Sequence, residues 1–248
     1  MNDRLSWRRL LSLLRADVLR NNRAWLVAVG TAALVALFLS VLGAIDGSVS
    51  NGFYHGFFIA ALFGLGTIAT SQSFVDLHGR TTSTAFLLLP ASALEKTLAR
   101  LLLTTVGLFA GLLVLTAVLS WLLEGINTVL FDVRRETFVP FDRLAWLMLP
   151  HYLVAQSLFF LGAAWFRKVH YLKTVGAVLL IALGLSVIAS VLAWMVGPTP
   201  CRNVSCLQFP FVDWLIDAAP LAYVYVVPPF CWFVAWLRVT ETQVSHGI

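Results

Sequence analysis

The sequence predicts an all-α polytopic membrane protein, and three observations carry that prediction. The chain is 60% hydrophobic and only 12% charged, with a mean hydropathy of +0.87, whereas a soluble domain carries about 25% charged residues. Apolar windows of about 20 residues recur, the length a helix needs to cross ~30 Å of hydrocarbon. These windows are continuously apolar and do not alternate, so each must satisfy its own backbone as a helix and not as a barrel strand. Six windows predict six spans, at 25–42, 53–71, 97–123, 144–166, 174–196 and 219–237, in a single transmembrane domain that takes in residues 1–248.

Residues 3–20 precede the first span. Trp7, Leu10, Leu11, Leu14 and Val18 share one helical face, with Arg8, Ser12 and Arg15 on the other. That pattern predicts an amphipathic helix lying in the membrane interface. The first span is longer than the hydrophobic region of a signal peptide, so it reads as a retained anchor. Span 2 spaces Gly52 and Gly56, and then Ala60 and Gly64, four residues apart; span 3 does the same with Gly107 and Gly111. Small residues at this spacing let helices approach closely, within the bundle or across a subunit interface.

Ser92-Ala93-Leu94-Glu95 is a capping box that opens the third span and leaves Lys96 at the membrane edge. The same reading removes Ser92 and Lys96 from consideration as a nucleophile and base. The stretch 124–143 reads as an outer loop, with Asp132, Arg134, Arg135 and Glu136 as solvated surface. Between spans 5 and 6, turn residues lead into an aromatic and acidic run containing Phe209, Phe211, Asp213, Trp214 and Asp217. This predicts a short external helical or re-entrant element. In the last span Pro228 and Pro229 remove backbone donors and predict a kink.

Charge sets an expected orientation. With the N-terminus in the cytoplasm, thirteen Lys and Arg residues fall inside and only Arg134, Arg135, Arg143 and Arg202 fall outside, as the positive-inside rule requires. Both termini are then cytoplasmic. Dispersed basic residues at membrane edges point to lipid headgroups as partners, not to nucleic acid. Cys201 and Cys206 fall together in the last outer loop, where a disulfide between them is expected; Cys231 reads as a packing residue.

Apart from Arg100 at the inner end of span 3, the proposed hydrocarbon cores hold almost no ionisable groups. His55 and His151, near the outer ends of spans 2 and 4, are the exceptions, and they read as interfacial residues with no metal to hold. Proton-coupled and ion-coupled carriers need ionisable groups at mid-depth. Hydrolase, zinc-protease and Walker A spacings are all missing, so this chain is not expected to be an enzyme or to hydrolyse ATP itself.

The stretch Gly79–Arg100 between spans 2 and 3 carries the most specific signal. Thr81-Thr82-Ser83-Thr84 can cap a short helix, Phe86-Leu87-Leu88-Leu89 forms an apolar turn, and Pro90 ends it. An exposed apolar turn on the inner side calls for the leaflet or a partner to cover it. Gly79-Arg80-Thr81-Thr82, Leu87-Leu88-Leu89-Pro90 and Glu95-Lys96 resemble the inner loop of ABC-2 type permeases, the membrane subunits of ATP-binding cassette exporters. Asp76 is the acid nearest to a Glu that this family often carries there. The order of elements along the whole chain is similar as well.

The resemblance implies a coupling helix formed by Thr82, Thr84, Phe86, Leu87, Leu88, Leu89 and Pro90. It would dock on a separate cytoplasmic ATPase subunit, which binds ATP and Mg, while a second permease copy, identical or a paralogue, completes the transporter in a bacterial inner membrane. It also implies a pathway lined by spans 2 and 5, where Thr67, Thr70, Ser71, Gln72, Thr174, Ser186 and Ser190 are the sparse polar points. Such a path suits an amphiphilic, lipid-like or peptide cargo. The competing expectation is a six-span scaffold or regulator that docks a cytoplasmic partner through the same loop.

Overall fold

The structure, a computed structural model of the chain, describes residues 6–46, 52–78, 91–132, 135–196 and 220–245. The described residues are helical with short connections and contain no strand. Among the described residues, six helices are long and apolar enough to cross a membrane. The predicted coupling residues Thr82–Pro90, the pair Cys201 and Cys206, and the external element before the last span lie outside the described residues.

Helix α1 runs Trp7–Arg20 and α2 runs Asn22–Asp46. Next come α3, Phe53–Ser71, and the single turn α4, Val75–His78. The third span is α5, Ala93–Leu102, then a π-helical turn, Leu103–Gly107, then α6, Leu108–Phe131. Helix α7 is Arg143–Trp165 and α8 is His170–Val196. The last span is helical over 220–225, turns at Val226, and continues as α9, Val227–Ser245.

The centre of the bundle is α7, which packs on α9, α3 and α8; α3 and α2 in turn pack on α6. One apolar core joins Tyr54, Phe58 and Leu62 of α3 to Phe109, Leu112 and Leu113 of α6 and to Tyr152 of α7. A second, at the α1 end, joins Phe74 and Leu77 to Phe160, Ala163, Ala164, Ala235 and Val239. Helix α8 stands apart. Leu179, Leu180, Ile181, Leu183, Leu185, Val187 and Ile188 along its length are all exposed.

Three expectations are corrected. The helix of the third span does not end at residue 123. It is one helix of 39 residues, Ala93–Phe131, about 58 Å at 1.5 Å per residue. It stops where Asp132 takes a left-handed cap (φ 54°, ψ 28°). Glu124 and Asn127 are therefore helical residues with buried side chains. Residues 135–142 fold back on this helix, with Phe138 buried against His55 and Phe58. Of the expected solvated surface, Asp132 and Glu136 are exposed, but the Arg135 side chain is buried. Lys96, expected at the membrane edge, is only 2% exposed.

Within one copy the close helix approaches fall at other glycines. A Cβ on Gly56, Gly64 or Gly111 would meet nothing within 4 Å, whereas one on Gly66 would stand 2.6 Å from the Tyr152 ring and one on Gly162 2.0 Å from the Thr174 hydroxyl. Four-residue spacing alone did not identify the contacts. The large partner on the facing helix decides where glycine is needed.

Pro228 and Pro229 fall in the first turn of α9, where a missing donor costs least. They leave the carbonyls of Val224 and Tyr225 without intrahelical donors, and the helical pattern is interrupted beside them at Val226. Cys231 is buried, as a packing residue should be.

Candidate functional site

The candidate site is the set of side chains that holds the ends of the 79–90 stretch. Its foundation is the start of α5. The Ser92 hydroxyl accepts from the Glu95 N–H (3.2 Å), and Glu95 Oε2 accepts from the Ser92 N–H (3.0 Å), which is the predicted capping box. The second Glu95 oxygen accepts from the N–H of Ser6 (2.9 Å), the N-cap of α1. One carboxylate thus fastens two helix starts that lie 89 residues apart in sequence.

Farther along α5, Arg100 closes a ring of four charges. Its guanidinium donates to Asp76 of α4 (3.0 Å) and lies 3.8 Å from Asp17 of α1. Arg20, one turn after Asp17, pairs with both Asp76 and Asp17. Two acids and two bases alternate, so the ring is neutral. Arg100 also donates to the Ser73 carbonyl, just past the end of α3, and stacks over the Phe74 ring (5.5 Å).

A buried guanidinium is tolerated only with partners that replace its water. Arg100, 7% exposed, has them on three elements. The ring joins the end of the second span, the start of the third and the N-terminal helix. The stretch 79–90 leaves and returns between His78 and Ala91, the two ends of this joint.

A second polar network crosses the bundle at the π-helical turn. The Tyr152 hydroxyl donates to the Thr104 carbonyl (2.5 Å) and Gln156 Nε2 donates to the Thr104 hydroxyl (2.9 Å). The Trp232 indole N–H donates to Gln156 Oε1 (3.0 Å). A π-turn disturbs the regular i to i−4 pairing, and such turns are frequent at functional sites. Here spans 4 and 6 supply the partners. Gln156 is fully buried, so the network sits inside protein and not against lipid.

No protein-family model, curated protein or solved structure matches this chain.

At the opposite end of the bundle a third network surrounds Glu124, which is 5% exposed. It accepts from the Tyr54 hydroxyl (2.6 Å) and the Arg135 N–H (2.9 Å), and the Arg135 guanidinium lies 3.9 Å away. Asn127 donates to the Ser40 hydroxyl (2.9 Å). His55 lies 3.1 Å from Asp142, the residue that caps α7. His151 is exposed, with its ring 5.9 Å from that of Tyr223. Sequence reasoning missed Glu124, though a signal was present. Thr116, Ser120, Glu124 and Asn127 follow one another at helical spacing, a polar stripe on a single face.

The expected pathway residues fall into two separate groups. Thr67, Thr70 and Ser71 are buried on α3, each donating to a carbonyl of its own helix at 2.5–2.7 Å, and Gln72 is exposed at the helix end. Ser186 and Ser190 lie on the exposed length of α8 and likewise bond their own helix. Thr174 packs against Gly162 of α7. Within one copy the two groups do not line a common channel.

Proposed function

We propose that this chain is the membrane-spanning subunit of an ATP-binding cassette exporter of the ABC-2 type. It pairs with a second permease copy and with separate cytoplasmic ATPase subunits, which hold ATP and Mg. The 79–90 stretch is the docking segment, with Phe86, Leu87, Leu88 and Leu89 as its apolar contact. The cargo class is amphiphilic, lipid-like or peptide, and the membrane is the bacterial inner membrane with both termini cytoplasmic.

The observation that supports this reading most strongly is the neutral ring of Asp17, Arg20, Asp76 and Arg100 on either flank of that stretch. A segment that receives force from a partner must pass it to the spans. A loop on slack ends would absorb the motion. A joint of ion pairs gathered on the buried Arg100, together with a double cap, gives the stiffness that transmission requires. The separation of Ser186 and Ser190 from the α3 hydroxyls fits a path that two copies complete together.

The test is a set of substitutions in the docking segment. Phe86→Asp, Leu88→Asp or Leu89→Asp is expected to leave membrane insertion intact while abolishing ATP-driven movement of a fluorescent lipid analogue in reconstituted vesicles. Undiminished transport in all three variants would remove the docking assignment.

A further inference from the structure

Helix α1 has two unlike faces, and only one of them is used inside the protein. Leu10 (2% exposed) and Asp17 face α5. Trp7 (70%), Leu11 (62%) and Val18 (44%) form a separate strip that touches little of the chain. At seven-residue spacing beside this strip stand Arg8 and Arg15, both exposed. Asp17 and Arg20 are taken up by the ring and Arg9 acts on Glu95 of α5, which leaves Arg8 and Arg15 as the helix charges with no ion pair among the described residues. Both are positive.

We propose that this outer face of α1 binds an anionic lipid leaflet, and that leaflet charge controls the rigidity of the joint at the start of α5. The chemistry selects this occupant. An indole and two aliphatic side chains flanked by arginines match the boundary between acyl chains and headgroups, where tryptophan settles. Each arginine near an anionic surface adds about fivefold to partitioning, and added salt removes that gain. A neutral leaflet covers the apolar strip equally well but leaves the arginines without counter-charges.

The regulatory consequence follows from the connections of α1. Ser6 is bonded to Glu95, and Asp17 faces Arg100. Seating α1 on lipid therefore restrains α5. That half of the proposal rests on intact ring contacts, while its bearing on transport rests on the docking reading given above.

The experiment compares amide hydrogen exchange of the full chain in phosphatidylcholine vesicles with and without phosphatidylglycerol. Slower exchange over residues 7–20 is expected with phosphatidylglycerol. Arg8→Gln combined with Arg15→Gln should remove most of that difference, about 30-fold in partitioning for two arginines, and high salt should do the same. Exchange over residues 92–100 should slow together with that of α1 in the wild type and cease to follow it in Asp17→Asn.

Equal protection in both vesicle types, or a difference that survives the double substitution, overturns the lipid-charge assignment. An α5 that ignores the state of α1 overturns the regulatory link. Leu88→Asp should leave every one of these readouts unchanged, so failure of the docking reading and failure of this one are distinguishable.

Discussion

Replacing Arg100 by Leu tests the ring directly. The substitution keeps part of the aliphatic stem and deletes the guanidinium that stacks over Phe74 and donates to Asp76 and to the Ser73 carbonyl. A hydrogen bond to a charged group is worth about 1.5–3 kcal/mol, and a fully buried pair broken on one side costs about 3–5 kcal/mol. Asp17 and Asp76 are 21% and 25% exposed. Water and Arg20 can therefore recover part of the loss, and the lower end of that range, about 3 kcal/mol, is expected. Asp76→Asn should cost about 2 kcal/mol by the same reasoning, since Arg100 keeps Asp17 and the Ser73 carbonyl. The double variant should fall short of the sum by about 1–2 kcal/mol, because the two single changes delete one shared interaction. The assay is reversible unfolding in mixed detergent micelles titrated with dodecyl sulfate. Additivity within about 0.5 kcal/mol would refute the ring as a coupled unit, and so would a stable Arg100→Leu protein. Arg100→Lys is expected to recover only part of the loss, since an ammonium cannot address three elements with a planar fork.

Three further outcomes follow from the other networks. Tyr152→Phe removes the hydroxyl that donates to the Thr104 carbonyl and should cost about 1–2 kcal/mol, with faster amide exchange confined to residues 104–108. Glu124→Gln deletes the charge facing Arg135 while keeping the shape; a loss of about 2–3 kcal/mol in the same unfolding assay is expected. Gly162→Ala drives a methyl into Thr174 across the α7–α8 contact and should destabilise by about 1–3 kcal/mol, with partial recovery in Gly162→Ala/Thr174→Ala.

Much of the architecture was legible because lipid imposes a length and a polarity on every span. Each of the six predicted windows overlaps, to within a few residues at its ends, a helix long enough to cross a membrane. Ser92 and Glu95 announced their own cap because that device is local, with both partners three residues apart. What a window of apolar residues cannot reveal is where a helix continues beyond the hydrocarbon. Glu124 looked like the start of a loop because it is acidic, yet its helix runs on to Phe131, with Glu124 and Asn127 on its buried face.

The partners of Arg100 were equally hidden. Asp17, Asp76 and Arg100 lie on three elements, and only the packing of α1 on α5 assembles them. The amphipathic face read for α1 was divided for the same reason. Leu10 serves the protein, while Trp7, Leu11 and Val18 are left for another surface. Glycine spacing did not point to the tight approaches within one copy, because Gly66 and Gly162 are required by Tyr152 and Thr174, residues far away in sequence.

The central claim, that residues 79–90 dock an ATP-hydrolysing partner, is tested most directly by phosphate release from protein purified gently from its native membrane. The account predicts vanadate-sensitive hydrolysis by a second polypeptide that co-elutes with this chain and is lost from preparations of Leu88→Asp. A chain that elutes alone without hydrolysis, or hydrolysis that co-elutes equally well with Leu88→Asp, would contradict it.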